Sequence, residues 1–183
     1  MTVKCSVYIA ASVDGFIAGE DGDLEWLHRP EYAPSELKGL SYHEFIATID
    51  ALVVGRGTFE TVLTFGGWPY EGRPVTVLSS TLSSVPERLE GKVRLDSGRP
   101  RKIVSRLASE GHEHLYVDGG VTIQRFLAAG LIDEITITRI PIILGGGIPL
   151  FGTTGVERPL HLIDAVRSDS GIVQERYEVR SAA

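Results

Sequence analysis

Ala51-Leu52-Val53-Val54 is an apolar run that stops at Gly55-Arg56-Gly57-Thr58 and passes at once into a helix-like segment, Thr58 to Thr64. A strand that turns directly into a helix is the basic unit of an α/β fold. The turn itself has chemistry. A helix N-terminus offers backbone N–H groups without partners and the positive end of its dipole, which together suit a phosphate. Arg56 adds a planar fork able to grip a phosphate with two hydrogen bonds. Taken alone, the same residues also describe an ordinary strand-to-helix turn with a surface arginine.

The rest of the chain repeats the unit. Val3 to Ala11, Pro74 to Leu78, Val93 to Leu95, Leu115 to Val117 and Glu134 to Ile143 read as strands, and Ser12 to Gly19 reads as a turn. Ser35 to Ile49, Arg99 to Glu110 and Val121 to Ala129 read as helices. Leu160 to Arg167 and Ile172 to Arg180 alternate around Ser168-Asp169-Ser170-Gly171 and form a hairpin. The expected fold is a single α/β domain over residues 1–183, with a mainly parallel sheet and a C-terminal antiparallel hairpin.

Ligands in such sheets bind at the carboxyl ends of the strands. Strand ends here carry Gly55-Arg56-Gly57-Thr58, Leu78-Ser79-Ser80-Thr81 and Gly119-Gly120-Val121-Thr122. Glycines let a ligand approach the backbone, and hydroxyls supply donors. Repeated at several strand ends, this points to an extended ligand with more than one phosphate, such as a dinucleotide. The G-x-G-x-x-G fingerprint is absent from the first strand-to-helix turn, so the site has another design.

Other classes recede. A net charge of −6 without a basic run argues against nucleic acid as partner. Cys5 is the one cysteine, so no intrachain disulfide forms, and its apolar surroundings suit a core residue. No apolar run reaches the roughly 20 residues of a membrane span. With a strand opening the chain and no signal peptide, a cytoplasmic protein is expected. His112 and His114 share a strand face without a third ligand nearby, so no metal site is expected.

Several pieces, in order, carry a resemblance over nearly the whole chain: Ile9-Ala10-Ala11-Ser12-Val13-Asp14-Gly15-Phe16-Ile17-Ala18, Trp26-Leu27, Asp50 to Thr58, Val77 to Ser80, Val117-Asp118-Gly119-Gly120, and Pro141 to Phe151. The chain resembles the dihydrofolate reductase superfamily, and within it the C-terminal reductase domain of the riboflavin-biosynthesis deaminase-reductase and its stand-alone relatives. The resemblance implies a three-layer α/β/α fold and an NADPH-dependent reductase. By it, Gly55, Arg56, Gly57, Thr58, Leu78, Ser79, Ser80, Gly119, Gly120, Val121 and Thr122 hold the cofactor, with Arg56 facing the 2′-phosphate. Gly119 and Gly120 match a pair that is often joined by a cis bond in the family. Ala10, Ala11 and Ile17 match positions lining the nicotinamide, and Trp26 a tryptophan near the loop over the active site.

The substrate side is less sharply implied. Thr138 matches a family threonine beside the substrate, though strand propensity alone also explains it. Asp14 either orients substrate or caps its own turn. Trp68 and Tyr70 either stack on a flat heterocycle or pack a loop. A basic residue that some dihydrofolate reductases carry after the glycine pair is Val121 here. Their helix carboxylate has no match in register, Glu36 and Glu44 being the nearest acids. The expectation is a hydride transfer to a small heterocycle or ribosylamino-pyrimidine, like that of 5-amino-6-(5-phosphoribosylamino)uracil reductase. A non-catalytic NADP-binding protein and a divergent dihydrofolate reductase are the rivals. A homodimer is expected, with Glu134 to Leu144 and the Ile148-Pro149-Leu150-Phe151 plug as its surface.

Overall fold

The computed structural model describes residues 3–32 and 37–180. In chain order the elements are β1 (Lys4–Ser12), β2 (Phe16–Ala18), α1 (Tyr42–Ala47), β3 (Ala51–Gly55), α2 (Arg56–Leu63), β4 (Val75–Leu78), β5 (Val93–Asp96), α3 (Pro100–Ser109), β6 (His114–Asp118), α4 (Gly120–Ala128), β7 (Glu134–Ile140), β8 (Ile148–Pro149), β9 (Leu160–Arg167) and β10 (Val173–Val179). The main sheet runs β5-β4-β3-β6-β1-β7-β10-β9. Its strands are parallel from β5 through β7; β10 and β9 add the antiparallel hairpin.

The sheet is covered on both faces because its inner strands are apolar on both. Along β3, Ala51 and Val53 join one core with Ile103, Leu107, Ile123 and Phe126 of α3 and α4. Leu52 and Val54 join the other with Phe45, Phe59 and Val62 of α1 and α2. Period-2 alternation on a buried strand thus feeds two cores, which gives the three layers. Cys5 is 1% exposed, and burial pushes its thiol up to about 12, so it serves as core.

Some local expectations are overturned. Within the stretch expected as a turn, Phe16–Ala18 forms β2 and pairs antiparallel with β8, Phe16 with Pro149 and Ala18 with Ile148. That partner is too distant in sequence for a local pattern to reveal it. The helix expected over Ser35 to Ile49 begins only at Tyr42. Ser41 caps it, its hydroxyl accepting from Glu44 N while the Glu44 carboxylate accepts from Ser41 N. This reciprocal cap fixes the start of the helix. Glu36 lies outside the described residues.

The expected dimer surface is exposed only in part: Ile143, Ile148 and Phe151 reach solvent, while the strand itself does not form an edge. β7 is an interior strand, hydrogen-bonded to β1 on one side and β10 on the other, and Leu150 of the plug is 1% exposed. Of the sheet's two edge strands, β5 and β9, β9 exposes Leu160, Leu162 and Ile163 at 43%, 50% and 43%.

Candidate active site

β3 and β6 are sheet neighbours, and each turns directly into a helix. Gly55 precedes α2 and Gly119 precedes α4, neither helix having a side-chain cap. Their first N–H groups therefore stay open at the carboxyl end of the sheet. The two N-termini are in contact. A Cβ on Gly119 would lie 2.5 Å from Thr58 Oγ1, and one on Gly55 would lie 2.8 Å from Thr122 Oγ1. Gly119 also holds φ at 97°, which a side chain would strain. The Gly119–Gly120 bond is trans, against the cis bond the resemblance implied; the left-handed Gly119 makes the turn instead. Two neighbouring helix N-termini, each with open N–H groups and a positive dipole end, are chemically suited to an anion.

A cleft of about 580 Å³ opens over these N-termini. Gly55, Arg56, Gly57, Thr58, Leu78, Gly119, Gly120, Val121 and Thr122 line it, together with Ala10 and Ile17. Arg56 Nη1 donates to Thr81 Oγ1 at 2.9 Å, beside a long contact of 3.4 Å from Nε to Glu60. Ser79 Oγ accepts from Thr81 N and Leu82 N, so it builds the turn that presents Thr81. Ser80 is exposed and outside the lining. A second arginine, Arg125, lines the cleft and reaches the Gly98 carbonyl at 3.4 Å. It escaped the sequence reading, although it stands one turn beyond Val121 on the same face of α4, and long helical side chains lean back toward the N-terminus.

The other half of the cleft is aromatic and acidic. Tyr116 and Asp118 are two apart on β6 and point to one face of the sheet. Tyr8, Tyr42 and Tyr70 complete the wall. Tyr8 packs on Tyr42 with ring centroids 5.7 Å apart and on Phe45 at 4.9 Å; Phe45 meets Tyr116 at 5.0 Å. Tyr116 donates to the Tyr8 carbonyl, and the Tyr8 hydroxyl donates to the Leu40 carbonyl, each at 2.8 Å. Burial raises the Asp118 carboxyl to about 6, partly offset by the bond it accepts from Gly119 N at 2.8 Å. An acid held near neutrality in a cleft marks a site candidate. Asp118 was visible in Val117-Asp118-Gly119-Gly120, but its strand-face relation to Tyr116 was the signal to use.

The model of the RibD C-terminal domain family matches residues 4–174. The chain belongs to this family. A solved structure of a putative riboflavin biosynthesis protein from Shewanella sp. PV-4 is 41% identical, with a TM-score of 0.88 over 97% of this chain and 99% of that one. The uncharacterised protein YwjB of Bacillus subtilis (strain 168) is 34% identical over 164 residues, 88% of this chain and 90% of its own. The riboflavin biosynthesis protein RibD of Mycobacterium tuberculosis (strain ATCC 25618 / H37Rv) is 30% identical over 160 residues. That match covers 80% of this chain but 44% of RibD. The relatives include a reductase: the dihydrofolate reductase HdrB of Haloferax volcanii is 32% identical over 130 residues, 69% of this chain and 62% of its own.

Within this RibD-type domain, the remaining candidate residues stand apart from the cleft. Asp14 accepts from Leu144 N at 3.1 Å and Gly145 N at 2.8 Å, and from the Ser12 hydroxyl at 2.6 Å. These bonds, the Ser12 hydroxyl foremost, hold its carboxyl below the usual range, and they tie down the glycine-rich stretch after β7. Ala11, on β1, is fully buried in the core that β1 shares with α3 and α4. Thr138 Oγ1 accepts from Gln174 Nε2 at 3.2 Å, in a group with Tyr8 and Leu40. Trp26 is 2% exposed and packs with Ile140 and Ile172. Trp68 packs edge-on against Phe59 and Tyr70, its rings 6.3 Å and 5.2 Å away. Glu44 is spent on the α1 cap. His114 bridges Ser6 and the Thr48 carbonyl at 2.8 and 3.0 Å.

Proposed function

We propose that this chain is an NADPH-dependent reductase that transfers a hydride to a small heterocyclic or ribosylamino-pyrimidine-like substrate. The observation that carries the reading is the pair of helix N-termini facing each other at Gly55–Thr122 and Gly119–Thr58, beside two arginines, in the same cleft as Asp118. A pyrophosphate needs several backbone donors and no side chain in the way, and these glycines meet both needs. Arg56, with Thr81 beside it, fits a phosphate monoester such as the 2′-phosphate.

When bound, NADPH supplies the hydride. The chain's own residues orient and exclude. Ala10 and Ile17 give a small, apolar wall against which a flat ring can lie. Tyr8, Tyr116 and Phe45 hold one another in place, so the substrate meets a preformed surface. Asp118 sits where a carboxyl can hold or pass a proton near neutral pH. The reading includes a soluble cytoplasmic homodimer, for which the exposed β9 edge supplies the surface.

The experiment is NADPH oxidation against a panel of aminopyrimidines, ribosylamino-pyrimidines and pteridines. Turnover of at least one with loss in Asp118→Asn supports a reductase. Tight NADPH binding with no turnover of any supports a non-catalytic NADP-binding protein, and turnover of dihydrofolate alone supports a divergent dihydrofolate reductase.

A further inference from the structure

The cleft is chemically divided. Both arginines of its lining are drawn toward the loops after β4 and β5, Arg56 by Thr81 and Arg125 by Gly98. The half formed by Tyr8, Tyr42, Tyr70, Tyr116 and Asp118 has no lysine, arginine or histidine among the described lining residues. Arg73 does not line the cleft; its Nε donates to the Ile49 carbonyl at 3.0 Å, and its positive charge reaches the Tyr42 hydroxyl from outside the lining.

The hydrogen-bonding capacity left over in that half is specific. Tyr8 and Tyr116 have committed their hydroxyl protons to backbone carbonyls. The hydroxyls of Tyr42 and Tyr70 donate to no described residue. Asp118 accepts from Gly119 N through Oδ1, and the nearby Tyr116 hydroxyl also lowers its pKa, while the Tyr116 proton itself lies on the Tyr8 carbonyl, so the carboxylate keeps acceptor capacity toward the cleft. Tyr42 and Tyr70 both feel this carboxylate: burial first, and then its negative charge, raise their hydroxyl pKa values. The half therefore offers acceptor oxygens, two hydroxyls and aromatic faces, with a net negative charge. A phosphate placed there would face a carboxylate with no cation in the lining to bind it, an arrangement disfavoured in a partly desolvated site. An amino group or ring N–H would find a ready acceptor, and a flat ring would find aromatic walls.

Resting on the reductase reading above, we infer that the substrate is an uncharged or cationic amino-bearing heteroaromatic without a phosphate, anchored by Asp118 and flanked by Tyr42 and Tyr70. This separates the chain from a reductase that requires a phosphoribosyl group.

The test begins with titration of NADPH, then of NADP⁺, into the purified protein. Absence of binding would overturn the reductase reading and this inference with it. With NADP⁺ saturating, 2,4-diaminopyrimidine serves as the probe of the substrate half. The expected result is binding that weakens about tenfold or more in Asp118→Asn. Tyr42→Phe, at a rim position where folding is not at risk, should weaken it by a smaller factor. NADPH affinity should hold in both. With NADPH, 5-amino-6-(ribosylamino)uracil should be preferred over its 5′-phosphate by about tenfold or more in kcat/KM. If neither is turned over, Asp118-dependent binding of the diaminopyrimidine still supports the inference. Preference for the phosphate, or diaminopyrimidine binding that ignores Asp118→Asn, overturns it while leaving an NADPH-binding reductase in place.

Discussion

A Cβ on Gly119 would stand 2.5 Å from Thr58 Oγ1, and the reciprocal contact, Gly55 against Thr122 Oγ1, closes at 2.8 Å. Each helix N-terminus is thus fitted to a threonine of the other. The pairing explains why glycine stands at both strand ends and why the two turns sit side by side.

Gly55→Ala should destabilise the protein, because Thr122 is 3% exposed and its β-branched side chain has little room to turn away. Its own backbone is ordinary, at φ −79°, so the cost is the contact rather than strain. The double variant Gly55→Ala/Thr122→Ala should recover part of the loss. Urea denaturation of the four-member cycle should give a coupling of about 0.5–3 kcal/mol, and strict additivity would deny the contact.

Arg56→Ala should weaken NADPH about tenfold to a hundredfold and NADH much less, since it removes a charge-assisted phosphate contact. Equal losses for both cofactors, read by fluorescence titration, would deny Arg56 its role at the 2′-phosphate.

Asp118 makes stability depend on pH. Its folded carboxyl titrates near 6, above the unfolded value, so the folded state holds the extra proton between those two values. Stability falls as pH rises through that window and stays lower above it. Asp118→Asn should therefore stabilise the protein at pH 8 by up to about 3 kcal/mol, taking 1.36 kcal/mol per pKa unit, and have little effect at pH 4. Thermal or urea melts at the two pH values check this; a variant less stable at pH 8 would contradict it.

Asp14→Ala should release the stretch after β7 rather than remove chemistry. The lowered carboxyl pKa means the ionised form supports the fold, and that support fades as pH drops through it. Amide exchange at Leu144 and Gly145 should accelerate in the variant while NADPH affinity is retained. Unchanged exchange with abolished turnover would instead make Asp14 a catalytic residue.

The sheet was legible because its strands are short, apolar and punctuated by glycine. The two facing turns were legible because Gly55-Arg56-Gly57-Thr58 and Gly119-Gly120-Val121-Thr122 place glycines and hydroxyls where strands end. What escaped was non-local. β2 exists only through β8, and β7, expected to help form the dimer surface, lies inside the sheet because β10 returns to cover it. Trp26 reads as a binding residue until its packing on Ile140 and Ile172 is seen. Asp118 and Arg125 are plain in the sequence, but what they can do depends on which face of β6 and α4 they share with Tyr116 and Val121.

The most direct test of the account is calorimetric titration of the purified protein with NADPH and, separately, NADH. The account predicts one site per chain, with NADPH bound at least about tenfold more tightly than NADH. Absence of binding by both would contradict it, leaving the facing helix N-termini as a feature of the fold without a cofactor.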